Sequence, residues 1–149
     1  METYKEMKQR HQNEVNALPL AFAFSREQYH AKLKEWEINE EEARAGAIVG
    51  IGGGGFCKAS DHNEVLATFR RIQEEEAAAI AADLDGTGYI YQMFLYELQN
   101  HEYSYTGDID DTLDALNISN KDLAENPALL AGLNAAIKTI SLAGDPFDE

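Results

Sequence analysis

Four consecutive glycines, Gly52 to Gly55, set the tightest limit on what this chain can fold into. Each loses more backbone freedom on folding than any other residue, so a run of four has no place inside a helix. Ala47, Ile48, Val49 and Ile51 precede the run, and Phe56, Cys57 and Lys58 follow it. Two short strands joined by a glycine turn use both flanks. Gly50, Gly52 and Gly55 also satisfy the spacing GxGxxG. A dinucleotide site, however, needs those glycines to lead straight into a helix, and Phe56 to Lys58 read as strand. A P-loop fails too, because Phe56 stands where lysine is required. The expectation is a bulged hairpin, or a close backbone approach to a partner, with no cofactor.

Elsewhere the period changes from two to three or four. Tyr4, Met7, His11, Val15 and Leu18 mark one face of a helix closed by Pro19. Leu20, Phe22 and Phe24 then alternate with Ala21 and Ala23, which predicts a third strand, packed on both faces. Ser25 with Gln28 forms a capping-box pattern ahead of a helix that buries Tyr29, Leu33 and Trp36. Ser60 or Asp61, with Glu64, is placed to cap a long helix carrying Val65, Leu66, Phe69, Ile72 and Ile80 to about Ala82. After a turn at Asp83 to Gly88, Ile90, Met93, Phe94 and Leu98 define a second apolar helix. Shorter helices follow over Asp108 to Leu116 and Ser119 to Glu125, and Pro127 opens a last one bearing Leu129, Leu130, Leu133, Ile137 and Ile140. The fold class expected is α+β, mostly helical, with about six helices and about three short strands in the first 60 residues. With no repeat, linker or composition break, residues 1–144 read as one domain and 145–149 as an acidic tail.

Composition narrows the function. Among 149 residues, 27 are acidic and 12 basic, a net charge of −15 that repels phosphate backbones and disfavours direct nucleic-acid binding. The 44% apolar and 26% charged content fits neither a disordered polyelectrolyte nor a membrane protein. The single Cys57 cannot form an internal disulfide and reads as a small buried side chain. No basic-then-apolar leader and no membrane-length apolar run is present, so a cytoplasmic setting is expected.

Four constellations carry chemistry. Asp83, Asp85, Thr87, Gly88 and Ile90 follow the opening of an EF-hand loop, but its twelfth position, which needs a bidentate carboxylate, is Phe94. A helix-to-helix turn clasped by its own aspartates accounts for the same residues, and no metal is expected. Glu97 and His101, one helical turn apart, form the best acid–base pair; with Asn100 they read as a polar network, and as a catalytic pair in the alternative. No nucleophile can be placed opposite them, so no catalytic residue is assigned. Asp108, Asp110, Asp111 and Asp114 gather four carboxylates in seven residues. Asp108 can cap and the next two suit a helix N-terminus, which leaves Asp110, Asp111 and Asp114 on an outward arc. Glu74, Glu75 and Glu76 form a second acidic run, and Glu40, Glu41 and Glu42 a third. Tyr103 and Tyr105 flank the aspartate cluster as aromatic anchors for a partner.

The segments AFAFS (Ala21 to Ser25) with Gln28, IGGGGF (Ile51 to Phe56) with Ser60 and Asp61, YEL (Tyr96 to Leu98), NHEY (Asn100 to Tyr103), TGD (Thr106 to Asp108) and DTL (Asp111 to Leu113) carry a resemblance. The sequence resembles a family of small, largely uncharacterised proteins of phages and mobile elements in gut Firmicutes, some of which look like candidate inhibitors of host CRISPR nucleases. That resemblance implies a phage-encoded, non-enzymatic inhibitor in the host cytoplasm, occupying a basic nucleic-acid-binding surface of a defence nuclease. Asp110, Asp111, Asp114, Glu74, Glu75, Tyr103 and Tyr105 would face that partner. The alternatives are a small enzyme or ligand-binding domain using Glu97 and His101 near the glycine turn, and a structural or regulatory phage protein acting as an oligomer.

Overall fold

The structure, a computed structural model, describes residues 2–143; the expected acidic tail at 145–149 lies outside the described residues. Nine helices and one three-stranded antiparallel sheet are present among the described residues, an α+β architecture with its strands in the first 60 residues. The helices beyond the expected six or so include two short ones of three and four residues, too brief to show a hydrophobic period. The chain separates into two compact units, a sheet unit, His11–Gln73, and a helical unit, Met1–Arg10 with Glu74–Glu149. The boundaries fall inside helices α1 (Tyr4–Asn16) and α4 (His62–Ala82), where no linker composition marks them.

In the sheet unit, β2 (Ile48–Gly52) and β3 (Gly55–Lys58) form the glycine hairpin, and β1 (Leu20–Phe22) pairs with the other side of β3. Gly52, Gly53 and Gly54 turn the chain at φ +91, +59 and +80°, left-handed values that side chains resist, and the ladder bulges between Gly50 and Gly52. Ala21 lies opposite Phe56 in register. Phe56 on that face is buried edge-on against Tyr29, 5.1 Å between ring centres, and Trp36, 5.5 Å, both from α2 (Arg26–Glu35) and its C-cap. A small residue at 21 therefore lets the helix lie close. The expectation that β1 packs on both faces is corrected: Phe22 is 51% and Phe24 79% exposed, because β1 is an edge strand covered by α2 on one side only. Ser25 caps α2 as expected, accepting from Gln28 N, while Gln28 Oε1 accepts from Phe24 N, one residue ahead of the cap. At α4 a 3₁₀ turn, Ala59–Asp61, leads into the helix in place of a Ser60 side-chain cap. Cys57 is fully buried, and burial followed by the nearby Asp61 charge pushes its thiol pKa up.

The helical unit is centred on α5 (Tyr89–Asn100) and α9 (Pro127–Ala143), which bury Ile90, Met93, Phe94 and Leu98 with Leu129, Leu133, Ala136 and Ile140. Two glycines set how closely they approach. A Cβ on Gly86 would stand 2.1 Å from the Ala128 carbonyl oxygen, and one on Gly132 would stand 2.5 Å from Ile90 Cγ2. The EF-hand-like turn that holds Gly86 is closed by Asp83, whose carboxylate accepts from the N–H groups of Gly86, Gly88 and Ile90 at 2.9–3.1 Å. Asp85 accepts in the same way from Thr87. These bonds satisfy orphan N–H groups at the start of α5. No helix among the described residues is long and apolar enough to cross a membrane.

Candidate functional site

Glu97 is the most buried carboxylate the sequence singled out, its side chain 3% exposed. It lies on the inward face of α5, beside Phe94 and Leu98, where a lone charge would be costly. Two partners from α1 offset that cost. Tyr4 Oη donates to Glu97 Oε1 at 2.7 Å, and Lys8 Nζ donates to the same oxygen at 2.5 Å. Tyr4 and Lys8 are one helical turn apart, so both point to one place. The Lys8 ammonium also lies over the Tyr96 and Tyr4 rings, 5.1 and 5.8 Å from their centres. Tyr4 in turn meets Tyr89 and Tyr96 edge-on. Burial, then the hydrogen bond to Glu97 and its negative charge, holds the Tyr4 phenol protonated well above the usual range. Burial pushes the neighbouring Tyr89 up to about 12, with the Glu76 charge second.

His101 caps the C-terminal end of α5 with Nε2 3.5 Å from Glu97 Oε2, an ion-pair distance and not a short hydrogen bond. The Thr112 hydroxyl, fully buried, donates to the Glu97 backbone carbonyl. Asn100 is exposed and takes no part. The network the sequence located at Glu97, Asn100 and His101 is thus built by Glu97 with Tyr4 and Lys8. No local signal marks those two, because they lie about ninety residues away in sequence. With both strong donors on one carboxylate oxygen, the arrangement fastens the first two turns of α1 to α5.

The acidic runs differ in what they touch. Glu40 pairs with Arg44 at 3.1 Å and with His30 at 3.2 Å, and Glu42 closes a capping box with Asn39. Glu75 is half-buried and pairs with Arg10 at 3.0 Å, whereas Glu74 is exposed. On α7 (Asp110–Leu116), Asp110, Asp111 and Asp114 are all exposed, Thr112 and Leu113 face inward, and no ion pair reaches the three aspartates among the described residues. Asp108 accepts from Asp110 N at 2.8 Å and orders the entry to the helix. Before it, α6 (Tyr103–Thr106) carries Tyr105, 63% exposed, and the half-buried Tyr103.

Charge is divided unequally along the chain. The helical unit holds 18 acidic and 5 basic residues in sequence, and the sheet unit 9 and 7, so −13 of the net −15 belongs to the helical unit. The glycine turn, Gly52 to Gly55, lies in the nearly neutral unit, with the exposed Phe22 and Phe24 beside it.

A family model described as a family of unknown function (DUF7659) matches residues 3–139. No curated protein matches the chain. No solved structure matches it either.

Proposed function

We propose, from the premise that the chain belongs to the DUF7659 family, that the protein is a non-enzymatic binder whose α7 face engages a basic protein surface. The observation that carries this reading is the segregation of charge. Solubility is served by both signs interspersed over a surface, whereas here −13 of the net −15 belongs to one unit, and three of its carboxylates stand exposed on one short helix with no ion pair among the described residues. Asp114 stands three and four positions from Asp111 and Asp110, and such like-charge helical pairs cost about 0.2–0.5 kcal/mol each. The N-terminal dipole favours Asp110 and Asp111 but does not reach Asp114. A cationic partner would remove that repulsion. Tyr105 supplies an amphipathic anchor of the kind found at the centres of interfaces.

The resemblance to phage-borne inhibitors names the partner class to try first, a CRISPR nuclease whose guide or target channel is lined with lysine and arginine. Charge would set the encounter rate, and a few anchors the lifetime of the complex. The test is inhibition of such a nuclease in a DNA-cleavage assay, with complex formation followed by calorimetry at about 50 and 300 mM salt. Binding that weakens steeply with salt, and is lost in the Asp110→Lys, Asp111→Lys, Asp114→Lys variant, supports the reading. Binding untouched by either change overturns it. The enzymatic alternative at Glu97 and His101 draws less support, since Glu97 is held by Tyr4 and Lys8. The alternative of a structural or regulatory oligomer would appear as a concentration-dependent mass in light scattering.

A further inference from the structure

The sheet unit contains a recess unrelated to the α7 face. Arg26, Tyr29, His30 and Leu33, one face of α2, form one wall, and Glu40 and Arg44 form the other, around a volume of about 360 Å³. Glu40 opens α3 (Glu40–Glu42), and Arg44 belongs to the π-helical turn Ala43–Ala47, which breaks at Gly46 with φ +104°. The kink at Gly46 ends the helical stretch and leads the chain directly into β2. Two of the chain's five arginines and one of its four histidines therefore border one recess in a strongly acidic protein. A second recess of similar volume shares His30, Leu33 and Glu40 and continues past Lys34.

The cations are not equally occupied. Arg44 and His30 both point at Glu40, at 3.1 and 3.2 Å, so one carboxylate meets a guanidinium and an imidazole. Arg26 has no ion pair among the described residues, although it is the first residue of α2, where the helix dipole also favours an anion. Glu40 is held only by exposed pairs, the weak kind that a competing anion can displace. Leu33 and Tyr29 supply an apolar wall for the body of a ligand. The unit's own net charge is only −2, and a Debye length of about 8 Å at physiological salt screens more distant carboxylates.

We infer that this recess binds an oxyanion, the carboxylate or phosphate of a small organic ligand, through Arg26, Arg44 and His30, with Glu40 as the built-in competitor that engages Arg44 and His30 when the ligand is absent. Guanidinium groups suit this chemistry because their planar fork matches two oxygens at once.

The experiment titrates the full-length, isotope-labelled protein with inorganic phosphate and, separately, with benzoate, at constant ionic strength, and follows backbone amide shifts by NMR. Saturable shifts confined to residues 26–33 and 40–46 are expected, with a Kd on the order of 1 mM for so few exposed contacts. Tighter binding of benzoate identifies carboxylates with an apolar body as the ligand class; tighter binding of phosphate identifies phosphate monoesters. Glu40→Gln should tighten the better ligand about fivefold by removing the competitor, and Arg26→Ala should abolish saturation. Both positions are exposed, and circular dichroism checks that each variant is folded. The inference is overturned if neither anion saturates, if shifts are equal at Lys121 and Lys138, or if Glu40→Gln leaves the affinity unchanged.

Discussion

Replacing Gly86 by alanine tests whether the helical unit depends on backbone proximity or only on its apolar side chains. Gly86 has φ +79°, and a Cβ there would lie 2.1 Å from the Ala128 carbonyl oxygen and 3.0 Å from Gly132 N. The left-handed conformation costs an L-residue about 1–2 kcal/mol. Forcing the turn away from α9 adds an overpacking cost of about 1–3 kcal/mol, because the obstacle is backbone and not the flexible end of a side chain. Gly107 provides the control. It sits at φ +67° with nothing within 4 Å of its virtual Cβ, so Gly107→Ala carries the conformational cost alone. The entropy that alanine removes from the unfolded chain is common to both variants and cancels. Thermal and urea denaturation should therefore place Gly86→Ala about 1–3 kcal/mol below Gly107→Ala. At roughly 2–4 °C per kcal/mol for a chain of this size, the melting temperatures should differ by about 2–12 °C. Equal losses in the two variants would refute the claim that the Gly86 turn is held against α9.

Tyr4→Phe should cost about 1.5–3 kcal/mol in urea denaturation, the worth of a hydrogen bond to a charged group, because Glu97 stays buried with Lys8 as its remaining strong donor. Alkaline pH should act on the same cluster. Tyr4 and Tyr89 keep their protons in the fold above pH 10, where tyrosines in the unfolded chain ionise, so the stability they contribute is complete below pH 10 and falls as pH rises from 10 through about 12. Tyr89→Phe should flatten that decline, which denaturation at stepped pH would show. Ser25→Ala should destabilise the sheet unit by about 1 kcal/mol through loss of the α2 cap, measured by amide exchange over Arg26–Glu35. The Cys57 thiol should react with a disulfide reagent only on unfolding; rapid labelling of the native protein would contradict its burial.

How much of this was legible depends on how local each cause is. The hairpin follows from glycines and β-branched neighbours that are contiguous, and Ser25 with Gln28 announces a helix start within four residues. The aspartate turn at 83–88 is readable in the same way, as a loop closed by its own carboxylates, although which N–H groups Asp83 accepts from is not. Alternation at Leu20 to Phe24 showed a strand but not which face was covered, since that is decided by α2 lying over Phe56. Glu97 stood out as a carboxylate on an apolar stripe, yet the groups that hold it lie in the first eight residues and leave no trace near it. Ion pairing separates the acidic runs: charge runs look alike in sequence, but Glu75 and Glu40 meet arginines and Asp110, Asp111 and Asp114 do not.

The path of the chain through the helical unit bears on how the protein is made. Its opening segment, with Tyr4 and Lys8, leaves the ribosome before the whole of the sheet unit, and Glu97 follows about ninety residues later. Residues 11–73 are contiguous, whereas the segment with Tyr4 and Lys8 must wait for its acceptor on α5 and then for α9, which is made later still. During that interval Tyr4 and Lys8 have no Glu97 to meet, so the join between α1 and α5 closes only after most of the chain has been made.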